Sequence, residues 1–371
     1  MPDLGMRLQL LIGPTVPTPA PASVVEALVD VEVTHKDRQR DGFKLTFTLG
    51  RQGMAQDFGL LQSGLLDPPN RVSIVIVIRA LPQVLINGII MRHQVVPSNT
   101  PGQSRIQVFG DDSSVQLDLE ERSVIYRNMS DSSIVEKILG QYHDLVPMVM
   151  PTSETPSDKD RVVTQQVTDL AFVQELARRN DFVFYTEPTI TPGRSNAYWG
   201  PKDPPGRLPQ PPLTMNMGSE TNVEQLTFDF NALEPVTPQA NIVEPFTGRT
   251  VSIPVPSFLS PLSGQPAAPL RTTILRDTAG MDLIQASLRV LAAASQSADA
   301  VTGNGELDAM RYGRALRSRQ QVDVRGAGHA HDGAYYVQQV THRLKRGEYK
   351  QSFTLTREGR GATSSFVRQW V

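Results

Sequence analysis

The chain has 371 residues, enough for two or three domains and a sizeable core on the usual domain-size prior. It contains no cysteine, which excludes disulfides, thiolate-held metals or clusters and thiol nucleophiles. The formal net charge of −2 hides an asymmetry: from Arg311 to Val371 there are 12 Lys plus Arg against 4 Asp plus Glu, so this end carries +8 and the remainder −10.

At the N-terminus the apolar run Leu10 to Ile12 is broken by Pro14, Pro17, Pro19 and Pro21, too soon for a secretory signal core. No run approaches a membrane span, so the reading is assembly in the cytoplasm without direct membrane insertion. Residues 24–122 then read as strands. Val25 to Thr34 alternates loosely, Phe43 to Leu49 cleanly, and Val72 to Ile78 is a β-branched run suited to burial on both faces. Turns are expected at Gly88, Asn99 to Gly102 and Gly110 to Asp112, between Val84–Ile86, Ile89–Val96 and Arg105–Phe109. Together they predict a small antiparallel barrel.

A pair of helices follows. Ser130, Asp131 or Ser133 can cap the first, with Ile134, Val135, Ile138 and Leu139 on one face and Gly140 as a left-handed stop. The second opens at Thr168 or Asp169, buries Leu170, Val173, Leu176 and Ala177, and closes on Arg178, Arg179 and Asn180, which suit the negative end of the helix dipole. A strand, Phe182 to Thr186, follows directly.

From Glu187 to Leu270 the texture changes, because 16 of the 29 prolines fall there and remove backbone donors. Tyr198 to Gly200 closes the helical unit, and Lys202 to Pro212 reads as a linker or surface loop. Val223 to Phe230 is a returning strand with Leu226, Phe228 and Phe230 on one side. Ile242, Val251, Ile253, Val255, Phe258 and Leu259 favour an extended arm packed on a neighbour over a mobile loop for residues 241–270. Residues 279–298 form the best helix, with Met281, Ile284, Leu288 and Leu291 as its stripe and Asp277 or Thr278 as cap. A three-strand meander ends the pattern: Gln320–Arg325, Tyr335–Arg343 and Glu348–Arg357, turning at Asp332-Gly333 and Arg346-Gly347.

Chemistry is sparse. His329 and His331 could be half a metal site, but such sites need about four ligands, and a hairpin tip explains them better. Asp111-Asp112 and Glu120-Glu121 read as a turn and a solvated stop. His342 reads as a packed strand residue and His143 as a loop residue, and no nucleotide, nucleophile or zinc-protease motif occurs. The sequence therefore predicts no catalytic, cofactor-binding or metal-binding residues. The basic cluster Arg343, Lys345 and Arg346 is the candidate partner interface, docking an acidic neighbour; the competing reading is a solvated strand end. No recognition helix or stacking aromatic cluster accompanies the charge, so nucleic acid is not an expected partner.

The order from Arg105 to Tyr185, with GAYYVQQVTHRL and YKQSFTLTR near the end, resembles the hub proteins of contractile phage tails, the late control protein D family, and the N-terminal half of type VI secretion spikes. That family has the pattern Asp-Leu-Ala-Phe-x-x-x-Leu-Ala before an aromatic strand. Here Asp169, Leu170, Ala171, Phe172, Leu176, Ala177, Phe182, Phe184 and Tyr185 fill it. The family usually has Gly at the position of Asp181, and Asn180 is expected to take over the turn. The resemblance implies an α+β, β-rich chain in which two small antiparallel β-barrel domains of the tube type, 1–122 and 216–371, flank an α+β insert with a Pro-rich linker, 123–215. It further implies a homotrimer that joins a hexameric inner tube protein to a separate trimeric spike protein among other baseplate proteins, within a phage-like particle or contractile injection machine. A cell-wall or carbohydrate-binding module is the rival reading. It would need exposed aromatic residues in a groove, and aromatic content is 6%.

Overall fold

A computed structural model describes residues 5–50, 59–100, 102–152, 162–204, 206–243, 250–253, 262–275 and 283–363. In the first part, β1 (Arg7–Gly13), the short β2 (Thr18–Pro19) and helix α1 (Ala22–Ala27) lead into β3 (Leu28–Lys36) and β4 (Gly42–Thr48). The strand expected from Val25 thus starts at Leu28, because Val25 belongs to the helix behind Pro21. After α2 (Gly59–Gln62) come β5 (Arg71–Ile78), β6 (Leu81–Val96) and β7 (Arg105–Asp112). The β5 run is buried at nearly every position, as its composition predicts.

Two expected turns are not turns. Gly88 lies inside β6, which is one strand of 16 residues, and Gly110 to Asp112 complete β7. The ring of Phe43 lies against both glycines. A Cβ on Gly110 would collide with that ring and with the Ile89 carbonyl, and one on Gly88 with the ring and the Asp111 carbonyl. Glycine here marks close approach rather than chain reversal.

The middle part comprises β8 (Val124–Tyr126), α3 (Asp131–Leu139), β9 (Leu145–Val149), β10 (Val163–Gln165), α4 (Asp169–Arg179), β11 (Phe182–Pro188) and β12 (Ser195–Pro201). Ser130 is the cap of α3, accepting from the Ser133 amide, and Thr168 caps α4 in the same way from Ala171. Gly140 stays right-handed at φ −62°, so the left-handed stop is not used. The predicted apolar stripes of both helices are buried, and Trp199 sits between them and the sheet, donating its indole N–H to the Val173 carbonyl at 3.2 Å. Asp169 is 1% exposed and receives Tyr142 Oη–H at 2.7 Å and Gln165 Nε2–H at 2.7 Å, with Arg122 3.1 Å away. The guanidinium of Arg179 pairs with Asp131 at the start of α3. It therefore locks the two helices together as well as sitting at a helix C-terminus.

Asp181 corrects another expectation. It takes the left-handed turn itself, at φ +54°, while Asn180 has φ −100°. Burial pushes its carboxyl up to about 6 against the pull of Lys202, Arg289 and Arg38. A carboxylate raised in this way opposes folding fully above its folded value and less as pH falls toward the unfolded one. Asp181→Gly removes both the backbone strain and the desolvated charge. It should stabilise by about 1–2 kcal/mol at pH 7, the usual left-handed cost for an L-residue, with a smaller gain near pH 4; urea midpoints at the two pH values measure it.

The last part starts within the proline-rich interval, where β13 (Gln210–Thr214) forms despite Pro211 and Pro212. Next come β14 (Val223–Phe230), β15 (Val236–Val243), β16 (Thr250–Ile253), β17 (Ser263–Pro266) and β18 (Arg271–Leu275). β15 pairs antiparallel with β16 and parallel with β18, so the expected extended arm folds back into a three-stranded sheet. Val255, Phe258, Leu259 and the side chains of Ile242, Val251 and Ile253 lie outside the described residues. Helix α5 (Leu283–Gln296) packs on β15 and buries Ala286, Val290 and Ala294. Leu291 is half-buried, while Asp277, Thr278, Met281 and the side chains of Ile284 and Leu288 lie outside the described residues.

Finally β19 (Val301–Asp308), α6 (Ala309–Tyr312), β20 (Gln321–Arg325), β21 (Gly333–Lys345), β22 (Glu348–Arg357) and β23 (Gly359–Ala362) supply the predicted meander and its neighbours. Tyr349, Gln351, Phe353 and Leu355 point to the buried side, as their alternation predicts. β13 joins β20 in parallel, and β23 pairs with β17.

The two β regions are not separate sheets. Beyond pairing with β20 and β22, β21 runs antiparallel to β3 from Gln339 opposite Lys36 to Lys345 opposite Asp30. One sheet therefore passes in the order β14-β19-β22-β21-β3-β4-β7-β6-β5-β1 through both halves. Each half keeps its own core, yet Leu344 and Tyr349 from the second pack into the core of the first.

Candidate interaction surface

The candidate cluster lies at the β21–β22 hairpin. Strand alternation sends Leu344 inward at 3% exposure and Arg343 and Lys345 outward, while Arg346 opens the turn and donates to the Glu26 carbonyl at 2.7 Å. Arg343 Nε is 3.7 Å from Glu32 on β3, and its side chain is 55% exposed. Beside the cluster is an open groove whose walls include Met6, Leu8, Val25, Leu28, Lys345 and Arg346.

Arg343 also belongs to a wider feature that the sequence did not reveal. Cross-strand register places Asp308, Lys350, Arg343, Glu32, Lys44, Phe109 and Arg92 in one row across β19, β22, β21, β3, β4, β7 and β6. Lys350 Nζ meets Glu224 at 2.8 Å and Glu306 at 3.3 Å, and the Arg92 guanidinium lies 3.8 Å from the centroid of the Phe109 ring. Such cross-strand pairs contribute about 0.2–1 kcal/mol each, so the row shapes the surface more than it holds the fold. Only the pairing of strands distant in sequence creates it.

Behind this face is a buried polar joint, also missed. Arg319, 5% exposed, grips Asp41 with Nη1–H to Oδ2 at 2.9 Å and Nη2–H to Oδ1 at 2.7 Å. His35 Nδ1 meets Asp41 Oδ2 at 2.8 Å, and the Asp41 amide donates to Asp112 Oδ2 at 2.8 Å. Burial pushes the Asp41 carboxyl up, but Arg319 and His35 outweigh it and hold it well below the usual carboxylate range. Burial and the Asp41 charge push Asp112 the other way. The Arg319 guanidinium also lies 4.7 Å from the Tyr185 ring centroid, so both halves and the α+β unit meet at one ion pair. A positive φ of +62° aims Arg319 there. The segments HKDRQRD and RSRQ showed only charge in the sequence, which is why this pairing was not legible.

A family described as Alg8 N-terminal domain matches residues 27–191, under half of the chain. No curated protein matches. Among solved structures, the tail protein from Neisseria meningitidis MC58 is 13% identical with a TM-score of 0.64, covering 95% of this chain and 97% of its own. The 43 kDa tail protein of prophage MuSo2 from Shewanella oneidensis is 12% identical with a TM-score of 0.63, covering 95% and 99%. An E. coli component of the type VI secretion system, described as structurally similar to bacteriophage tail proteins, is 17% identical with a TM-score of 0.54, covering 92% and 77%. The chain has a phage tail hub-like fold.

Within this hub-like fold the other polar residues fall into structural places. His329 is exposed and His331 is half-buried, its ring stacked on Phe228 at 4.5 Å between centroids, so the two do not converge. No cluster of three or more metal-ligating side chains occurs among the described residues. His342 is fully buried, as a packed strand residue, and His143 is exposed in a turn. Asp112 caps a 3-10 helix at Ser113–Asp118, and Glu120 and Glu121 are exposed. Tyr126, Phe172, Tyr185, Tyr198 and Trp199 of the α+β unit of this hub-like fold are buried, the opposite of a glycan-binding groove. Among the described residues no helix is long and apolar enough to cross a membrane.

Proposed function

We propose that this chain is the structural hub of a contractile injection machine or phage tail baseplate: a homotrimer joining a hexameric inner tube to a separate trimeric spike. The observation that carries this reading is likeness along 95% of the chain to tail proteins of nearly equal length. The geometry supports it further. Each chain sets two β halves side by side through the β3–β21 pairing, and three copies would offer six such halves, matching a sixfold ring on one face and a threefold spike on the other.

In this reading each half acts as a tube-type barrel module, with 1–122 and 216–371 in the ring and 123–215 as the α+β insert. The role is geometric and non-enzymatic, with no cofactor or metal. Arg343, Lys345 and Arg346 dock an acidic rim of the tube, the spike or another baseplate protein, within a phage-like particle assembled in the cytoplasm. Light scattering of the purified chain, alone or with its tube or spike partner, should give about 122 kDa, three times 40.8 kDa. A monomer under every one of these conditions would overturn the hub reading.

A further inference from the structure

Two histidines lie inside the joint that makes the halves one sheet. His35 sits on β3 opposite Val340, and His342 on β21 opposite Val33. Their rings pack edge to face with centroids 5.3 Å apart, at 4% and 0% exposure. His35 spends Nδ1–H on Asp41, since an ionised carboxylate only accepts. His342 Nδ1 is 2.8 Å from the buried Tyr349 hydroxyl, whose proton it accepts. The Nε2 atoms of both rings are buried and meet no partner among the described residues.

That arrangement tolerates neutral His342 and little else. An added proton must go to Nδ1, where the Tyr349 hydroxyl already points its own hydrogen. The resulting cation would face Arg317 from the segment before β20 and His35 from β3, while the one nearby carboxylate, Asp41 of the β3–β4 turn, is held by Arg319. We propose that this histidine pair makes the β3–β21 joint an acid latch, closed while His342 is neutral and opened, uncoupling the two halves of the sheet, when that ring takes a proton.

Electrostatics agree with the geometry. Burial first, then His35 and Arg317, hold the His342 imidazole well below its ordinary range, against the pull of Asp41. The opened strand takes its proton near the ordinary histidine value of about 6.5, and the closed one does not. Closure is therefore at full strength above that pH. Below it the opening equilibrium shifts by roughly tenfold per pH unit until the closed-state value is reached.

Hydrogen–deuterium exchange of the full chain at about pH 7.5 and about pH 5, corrected for the intrinsic exchange rate, tests the latch. Protection of residues 30–36 and 339–345 should fall at least roughly tenfold more than that of the β1–β5 ladder. In His342→Gln, whose amide oxygen can accept from Tyr349 without titrating, this difference should vanish. Where that variant folds poorly, the wild-type comparison decides alone. Equal loss of protection in both ladders, no loss in either, or a surviving difference in folded His342→Gln overturns the proposal.

Discussion

Arg319→Ala should cost the transition that includes the joint about 3–5 kcal/mol, the usual result of removing one partner from a buried ion pair. The guanidinium supplies two charge-assisted hydrogen bonds to Asp41 and also donates to the Lys36 and Gln39 carbonyls. Alanine leaves the Asp41 carboxylate, at 2% exposure, facing only His35. Intact, Asp41 has a lowered folded value, so its contribution is present above its unfolded value near 3.8 and fades as pH falls through the folded one. In the variant the carboxylate has lost its main stabiliser and can relieve the burial cost by taking a proton. The deficit against wild type should consequently shrink between pH 7 and about pH 4. Urea unfolding at both pH values measures this, and a cost under about 1 kcal/mol at pH 7 would show that the pair is not what joins the halves.

The second large effect is expected in assembly rather than in stability. Arg343, Lys345 and Arg346 are all exposed, and their contacts within the chain amount to one ion pair of 3.7 Å and one hydrogen bond to a carbonyl. Exposed charge pairs contribute roughly 0–1 kcal/mol, so each single alanine change should be mild. Reversing all three to Glu sets like charges against an acidic neighbour, which costs several kcal/mol at an interface and slows encounter. Incorporation into particles should fall at least roughly tenfold, at about 1.4 kcal/mol per tenfold, while thermal melting of the isolated chain stays near wild type. Normal particle yield at low and physiological salt would instead identify the cluster as a solvated strand end.

What the sequence made legible was local. The caps at Ser130 and Thr168, the stripes of α3 and α4, the buried run of β5 and the alternation of β22 each depend on neighbours within a few residues, and each stands in the structure. The misreadings arose where a distant contact overrode a local rule. Gly88 and Gly110 have turn chemistry, but the ring of Phe43, far away in sequence, needs their missing side chains. Asp181 occupies a left-handed turn that local preference would give to glycine or asparagine. The prolines of β13 spoke against a strand, yet parallel pairing with β20 places one there. The interaction surface divides in the same way. Arg343, Lys345 and Arg346 are neighbours in the chain and could be singled out, whereas the row from Asp308 to Arg92 and the Asp41–Arg319 joint need seven strands in register and two loops nearly 300 residues apart.

The strand β21 has a mechanical consequence. It belongs to both halves, so traction that separates them cannot simply peel one surface from another: the load is carried along a single covalent backbone and passes sideways into the rungs from Gln339–Lys36 to Lys345–Asp30. When the pull lies along the strands, those rungs share the stress in parallel instead of failing one after another. A subunit built in this manner transmits a sudden axial jolt as one stiff girder.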